Sequence, residues 1–382
     1  MKFLDTSSAR EPGLDLMRSI AILWVMLWHF HWALKLVIVN LVANYGWMGV
    51  DVFFVLSGYL IGSQLLRPYL NDNRPSLGGF YLRRAFRVLP AYLTVLLLYF
   101  AVPGFREAPG ISPAWQFLTF TENFRIDYAH DQAFSHVWSL CVEEHFYLVL
   151  PLLVLFLMRK PSFAKALSVI LGILAFGIII RCWIYLHQLQ PLLDAHDDLF
   201  ALGYIEKIYF RTHTRLDGLL VGVTLATIKT FRPLWWQRAL SDGYATLIAG
   251  LGLCAWAMWL FLDRLAFLGA LAGFPLMALG LGLLLISCVS PSSPLSRVRG
   301  FGVVAALAYS LYLTHKEVVH LDRIFFPHYV DSGGWLALLI YFVSSFIVAA
   351  ILYLAVEQPF LKLREKISAR KSRPAHQGAA AG

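Results

Sequence analysis

Long apolar runs, separated by short polar or basic stretches, recur along the whole chain. Ten of them reach or approach the ~20 residues that a helix needs to cross a hydrocarbon core. They cover 17–38, 47–66, 88–103, 137–158, 166–187, 213–229, 243–262, 267–288, 302–320 and 335–357. The third is short and draws on the basic stretch before it, and the sixth opens on polar residues. Segments such as 152–158 are solidly apolar, whereas outer-membrane strands alternate over ~10 positions. The pattern predicts an all-α polytopic membrane protein with about ten transmembrane helices. Two connections are sizeable, 104–136 and 188–212, and both are rich in Asp, Glu, His, aromatics and Pro. No internal repeat, long linker or large soluble domain interrupts the pattern.

Composition narrows the class. Of the 382 residues, 59% are hydrophobic and 14% charged, against about 25% charged in a soluble domain. A soluble fold and a disordered chain are both excluded. The four cysteines, Cys141, Cys182, Cys254 and Cys288, fall inside apolar runs without metal-ligand spacing. Neither a disulfide framework nor a metal site is expected. The net charge of +9 is explained by its placement. With the N-terminus in the cytoplasm, most of the 32 Lys and Arg residues fall on the cytoplasmic side, as the positive-inside rule requires. Both termini are therefore expected in the cytoplasm, and nucleic acid is not an expected partner. The first run is too long for a cleaved signal and lacks a small-residue cleavage site. Residues 1–360 are read as one membrane domain and 361–382 as a basic, disordered tail.

Ionisable residues within apolar spans are costly and mark functional candidates. Arg18 and His29 are eleven residues apart, three helical turns, and so share a face ~16 Å along the axis. A guanidinium suits phosphate and an imidazole suits proton transfer near neutrality. A ligand with a phosphate-rich head and a long thin arm, the shape of a coenzyme A thioester, fits this pair. Equally, Arg18 could serve only topology and His29 only packing. Arg83, Arg84 and Arg87 cluster where the third span begins, either to hold an anion or to anchor lipid headgroups. Glu143 and Glu144 are adjacent carboxylates just inside a span. They point ~100° apart, so one can be structural while the other lines a cavity as acid or base. Arg215 and Asp217 are read as structural, paired locally or with a neighbouring span, Asp51 as a residue that orients a histidine or bonds backbone, and His315 as packing.

In chain order these residues resemble the membrane-bound acyltransferase-3 family of bacterial O-acyltransferases. Arg18 and His29, preceded by Leu14 and Asp15, are similar to its Arg-x10-His motif. Gly49 to Ile61, containing Asp51 and Ser57, resembles the second-span signature, and Arg83-Arg84-x-x-Arg87-x-x-Pro90 the basic motif. Trp138-Ser139-Leu140-x-Val142-Glu143-Glu144, followed by Phe146-Tyr147, resembles the fourth-span motif. Arg215-x-Asp217, Tyr312-Leu313-x-His315 and Glu357-Gln358-Pro359-Phe360 match weaker, later signatures. Because the chain stops shortly after the tenth span, the standalone type, without a C-terminal hydrolase-like domain, is expected.

The resemblance implies transfer of an acyl group, usually acetyl, from cytoplasmic acyl-CoA to a hydroxyl of an extracytoplasmic sugar, polysaccharide or lipid-linked glycan, in the bacterial inner membrane. His29 and Glu144 are then the expected catalytic residues, and Arg18, Arg83, Arg84 and Arg87 the donor-binding ones. Asp15, Asp51, Ser57, Trp138, Ser139, Glu143, Tyr147, Arg215, Asp217 and His315 are expected to support the site or meet the acceptor. No resident cofactor is expected; acyl-CoA is a co-substrate and membrane lipids are neighbours. A transporter of an acyl donor, sugar lipid or anion would use the same charges, but the paired, broken half-helices of many transporters are not visible.

Overall fold

Eight helical segments are long and apolar enough to cross a membrane, and among the described residues there is no strand. The structure is a computed structural model that describes residues 11–71 and 73–372. The main helices are α1 (Pro12–Phe30), α2 (Gly49–Leu66), α3 (Leu77–Ala101), α4 (Trp138–Leu157) and α5 (Phe163–Ile184). After them come α6 (Asp217–Phe231), α7 (Gly243–Leu260), α8 (Phe274–Val289), α9 (Gly302–Phe325), α10 (Trp335–Leu352) and α11 (Gln358–Ser372). The perimeter is apolar: Leu97, Val149, Ile179, Ile248 and Ile347 are all exposed. Lipid tails can cover such a surface, and water cannot do so without cost. This is an all-α, polytopic membrane protein.

Two of the ten expected spans fall short of that measure. The sixth becomes α6, only 15 residues long and so about 22 Å, less than the ~30 Å of a hydrocarbon core. The ninth becomes α9, long enough but loaded in its second half with His315, Lys316, Glu317, His320, Asp322 and Arg323. Both helices are wrapped by others rather than by lipid. The expected disorder from 361 also does not hold as far as Ser372, where α11 is helical; 373–382 lie outside the described residues, as do Lys2 and Arg10.

Small residues bring α2 and α6 together. Gly58 and Gly62 on one helix lie against Leu219, Val223 and Ala226 of the other, and Gly218 and Gly222 against Phe54, Val55 and Gly58. A Cβ on Gly58 would fall 2.1 Å from the Leu219 carbonyl oxygen, and one on Gly222 2.3 Å from that of Val55. Helices without a hydrophobic drive to associate use this close backbone approach. Residues 102–137 then fold over one end of the bundle as a cap with two short helices, Ala114–Leu118 and Glu122–Arg125. Stacked rings of Tyr92, Tyr99, Phe117, Phe120 and Phe134 seat it. The opposite end, where α1 and α3 begin, is the basic end.

Candidate active site

α9 runs beside α1, tied near the basic end by a 3.1 Å bond from Ser19 Oγ to the Phe301 carbonyl. That register carries His315 to His29, with His315 Nε2 and His29 Nδ1 2.8 Å apart. His315 is therefore no mere packing residue. The hydrogen-bond network fixes the tautomers. His315 Nδ1 lies 2.9 Å from the Leu311 carbonyl, which can only accept, so that nitrogen carries the proton. A neutral His315 then offers Nε2 as an acceptor, and His29 must donate from Nδ1. The proton on Nδ1 leaves His29 Nε2 with its lone pair, and Nε2 makes no hydrogen bond among the described residues.

A third ring adjoins the pair. His136 lies edge-on to His29 and His315, with centroids 6.2 and 5.3 Å away. Its backbone carbonyl accepts from Tyr312 Oη at 2.6 Å, and Ser139 Oγ lies 2.6 Å from the same hydroxyl. The turn leading into His136 is unusual: Phe134 adopts the left-handed region, φ 61°, which bulky residues seldom occupy.

Toward the basic end lies a belt of charge. Arg84 and Arg87 are seven and ten residues into α3, about 10 and 15 Å along it. Both are partly buried. Arg87 pairs with the buried Glu357, whose other oxygen accepts from Ser310 Oγ at 2.9 Å. Ser310 is only five residues from His315 on α9, so this belt is about 8 Å below the histidines. Arg84 sits over the Tyr147 ring at 5.5 Å and reaches Gln64 at 3.4 Å. Arg83 is exposed. Arg18 stands 3.9 Å from Asp15 and acts, with Arg84, on the Glu143 carboxylate.

The adjacent carboxylates part company. Glu143 accepts from Ser57 Oγ at 2.7 Å and Tyr147 Oη at 2.8 Å, which ties α4 to α2. Glu144 has no hydrogen-bond partner among the described residues, and it is His315, not Glu144, that contacts His29. Asp51 does not orient a histidine: it pairs with Arg215 at 2.7 Å. Asp217 pairs with Arg181 of the neighbouring α5, through two bonds of 2.6 and 3.1 Å. Arg215 also lies 5.4 Å from the Trp138 ring. This second cluster is buried, and its opposite charges are matched.

The acyltransferase-3 family model, described as an acyltransferase domain, matches residues 11–354. The chain belongs to the acyltransferase-3 family. It is 27% identical over 392 residues to "Putative O-acetyltransferase SACOL0978" of Staphylococcus aureus strain COL, spanning 96% of this chain and 59% of that protein. It is also 27% identical over 380 residues to O-acetyltransferase OatA of Staphylococcus aureus strain NCTC 8325, spanning 92% of this chain and 57% of that one. The chain thus spans less than two thirds of the length of these relatives. No solved structure matches it.

The chain brings an imidazole with an unused lone pair and a belt of guanidinium groups to neighbouring levels of one bundle. His29 Nε2 can take a proton from a hydroxyl, while the belt can meet an anionic ligand. His136 and Tyr312 complete the histidine cluster; Tyr312 falls in one of the weaker signatures, but the chain alone assigns neither residue a role, because the cluster is assembled from α1, α9 and the turn before α4.

Proposed function

We propose that this membrane acyltransferase is an O-acyltransferase. It takes an acyl group, acetyl first of all, from acyl-CoA at the basic, cytoplasmic end and delivers it to a sugar or glycan hydroxyl admitted from the capped, outer end of a bacterial inner-membrane protein. The names of the relatives and the basic end of the bundle support this reading. The observation that carries it is the His29–His315 pair, which leaves a histidine lone pair unused above a cationic belt.

The chemistry follows from that lone pair. His29 Nε2 accepts the hydroxyl proton as the oxygen attacks the thioester carbonyl. The carbon–sulfur bond breaks, and the departing thiolate takes the proton from the imidazolium. His315 acts on His29 rather than on substrate, holding its tautomer. Arg18 and Arg83, nearest the basic end, hold the donor's phosphates, and Arg84 meets the deeper part of the donor. Arg87 is already balanced by Glu357 and mainly positions α3 against α9. Glu144 is left to meet the acceptor.

Sealed proteoliposomes of known orientation test the proposal. Acetyl-CoA should support transfer only from the face carrying the basic end, and a membrane-impermeant glycan should accept only at the other. Substrate movement without any acyl transfer would overturn the reading in favour of transport. Transfer with both substrates on the basic face alone would overturn the through-membrane part.

A further inference from the structure

Three side chains converge under the cap, beside the histidine cluster. Glu107 comes from the cap, His136 from the turn before α4 and Glu317 from α9, and one ligand atom of each lies within 4.8 Å of the others. Glu317 is fully buried, and neither of its oxygens has a hydrogen-bond partner. His136 is buried too, with both ring nitrogens unpartnered. Buried polar groups are nearly always satisfied, so two neighbouring exceptions call for an explanation.

The third group is already held in place. Glu107 accepts from Tyr99 Oη at 2.8 Å and from the Phe134 N–H at 3.1 Å. The second bond grips the left-handed turn that aims His136. Supports of this kind orient ligands in built cation sites. Lys316 Nζ also contacts Glu107, at 2.8 Å. Metal binding takes up ligands in their deprotonated form, and two carboxylates so ionised against one ammonium leave a net negative charge for a cation to neutralise.

We propose that Glu107, His136 and Glu317 bind one divalent transition-metal ion, with Zn2+ the best fit. Magnesium and calcium prefer sets made of oxygen alone, whereas an imidazole with two carboxylates suits zinc. Zinc bonds of about 2.1 Å place tetrahedral ligands about 3.4 Å apart, so the side chains close in by roughly an ångström. A surface cavity of about 280 Å³ lined by Pro103, Arg106, Glu107, Ala108, Pro109 and His320 gives access on the Glu107 side. Bound there, the ion ties the cap to α4 and α9 next to His315 and fixes the roof of the histidine cluster.

Metal content tests this without any turnover, so its outcome is separate from that of the acyl-transfer reading. Full-length protein freed of its affinity tag is equilibrated with Zn2+ in detergent, washed and analysed by elemental mass spectrometry, with thermal unfolding followed in parallel. About one zinc per chain is expected, with a thermal midpoint that chelator lowers and Zn2+ restores. Glu317→Gln and Glu107→Gln should lose both the zinc and the thermal response. Parent protein that keeps no zinc and shows no thermal response overturns the proposal, whether or not the variants fold. Unchanged stoichiometry in both folded variants does so as well, and binding of Mg2+ or Ca2+ alone overturns the assignment of the ion.

Discussion

Two buried polar clusters lie within the same bundle, and they are built in opposite ways. In the first, Asp51 faces Arg215 and Asp217 faces Arg181, each carboxylate matched to a guanidinium at 2.6–2.7 Å. In the second, His29 and His315 share one hydrogen bond, and His136 and Glu317 have no bonded side-chain atom. A closed ion pair spends its electrostatics on holding helices together, and removing one partner strands a buried charge. A cluster with unused lone pairs keeps its capacity to take a proton or a cation. The first cluster keeps three atoms without a hydrogen-bond partner, Asp51 Oδ2, Arg181 Nε and Arg215 Nη1, but its charges are matched; the proposed function therefore assigns the fold to it and the chemistry to the second.

Asp217→Ala should break the charge-matched cluster most severely. It leaves Arg181 buried without its bidentate partner, at a cost of about 3–5 kcal/mol, visible as lost folded yield and a lower denaturation midpoint. His315→Ala should lower kcat by about 10- to 100-fold, since it frees the tautomer of the base but leaves the base in place, while KM for the acyl donor stays near the parent value. His315→Gln, whose side-chain oxygen can replace Nε2 as acceptor, should recover part of that loss; equal losses in the two variants would mean packing alone. Arg84→Gln should raise KM for acyl-CoA about tenfold, the worth of one charge-assisted bond, with acceptor KM unchanged in steady-state assays.

The smallest effect concerns the cap. Glu122 is buried with both oxygens unpartnered, and desolvation holds its carboxyl well above the usual carboxylate range. A folded pKa raised above the unfolded one gives stability that is present at low pH and lost as pH rises past the ordinary carboxyl range. Glu122→Gln should therefore leave the thermal midpoint at low pH almost unchanged, flatten that decline and so raise the midpoint near neutral pH. A parallel pH profile in the variant would show that Glu122 is not the source.

The helical class, most span positions and the Arg18–His29 face were legible in the chain because each rests on periodicity within one segment. The polarity of α9 was legible too, yet its meaning was not. His315 appears as a lone histidine until α9 is laid against α1, and His136 until the turn at Phe134 aims it inward. Glu143 and Glu144 were seen to differ in direction, but which one is tied down depends on Ser57 of a different helix. The start of α3 was only partly legible: it begins at Leu77, well before its apolar run, so Arg87 lies ten residues into the helix. Contacts between distant segments set these features, and spacing along one segment does not report them.

The division of labour between the clusters is tested most directly by measuring kcat per folded molecule and thermal midpoint on the same preparations of His29→Ala and Asp51→Ala. The account predicts that His29→Ala loses about 10²- to 10⁴-fold in kcat, the worth of a general base, with its midpoint near that of the parent. Asp51→Ala should lose stability by about 3–5 kcal/mol, while the molecules that remain folded keep kcat within a few-fold. A His29→Ala protein that transfers acyl groups at the parent rate, or folded Asp51→Ala molecules as inactive as His29→Ala, would contradict it.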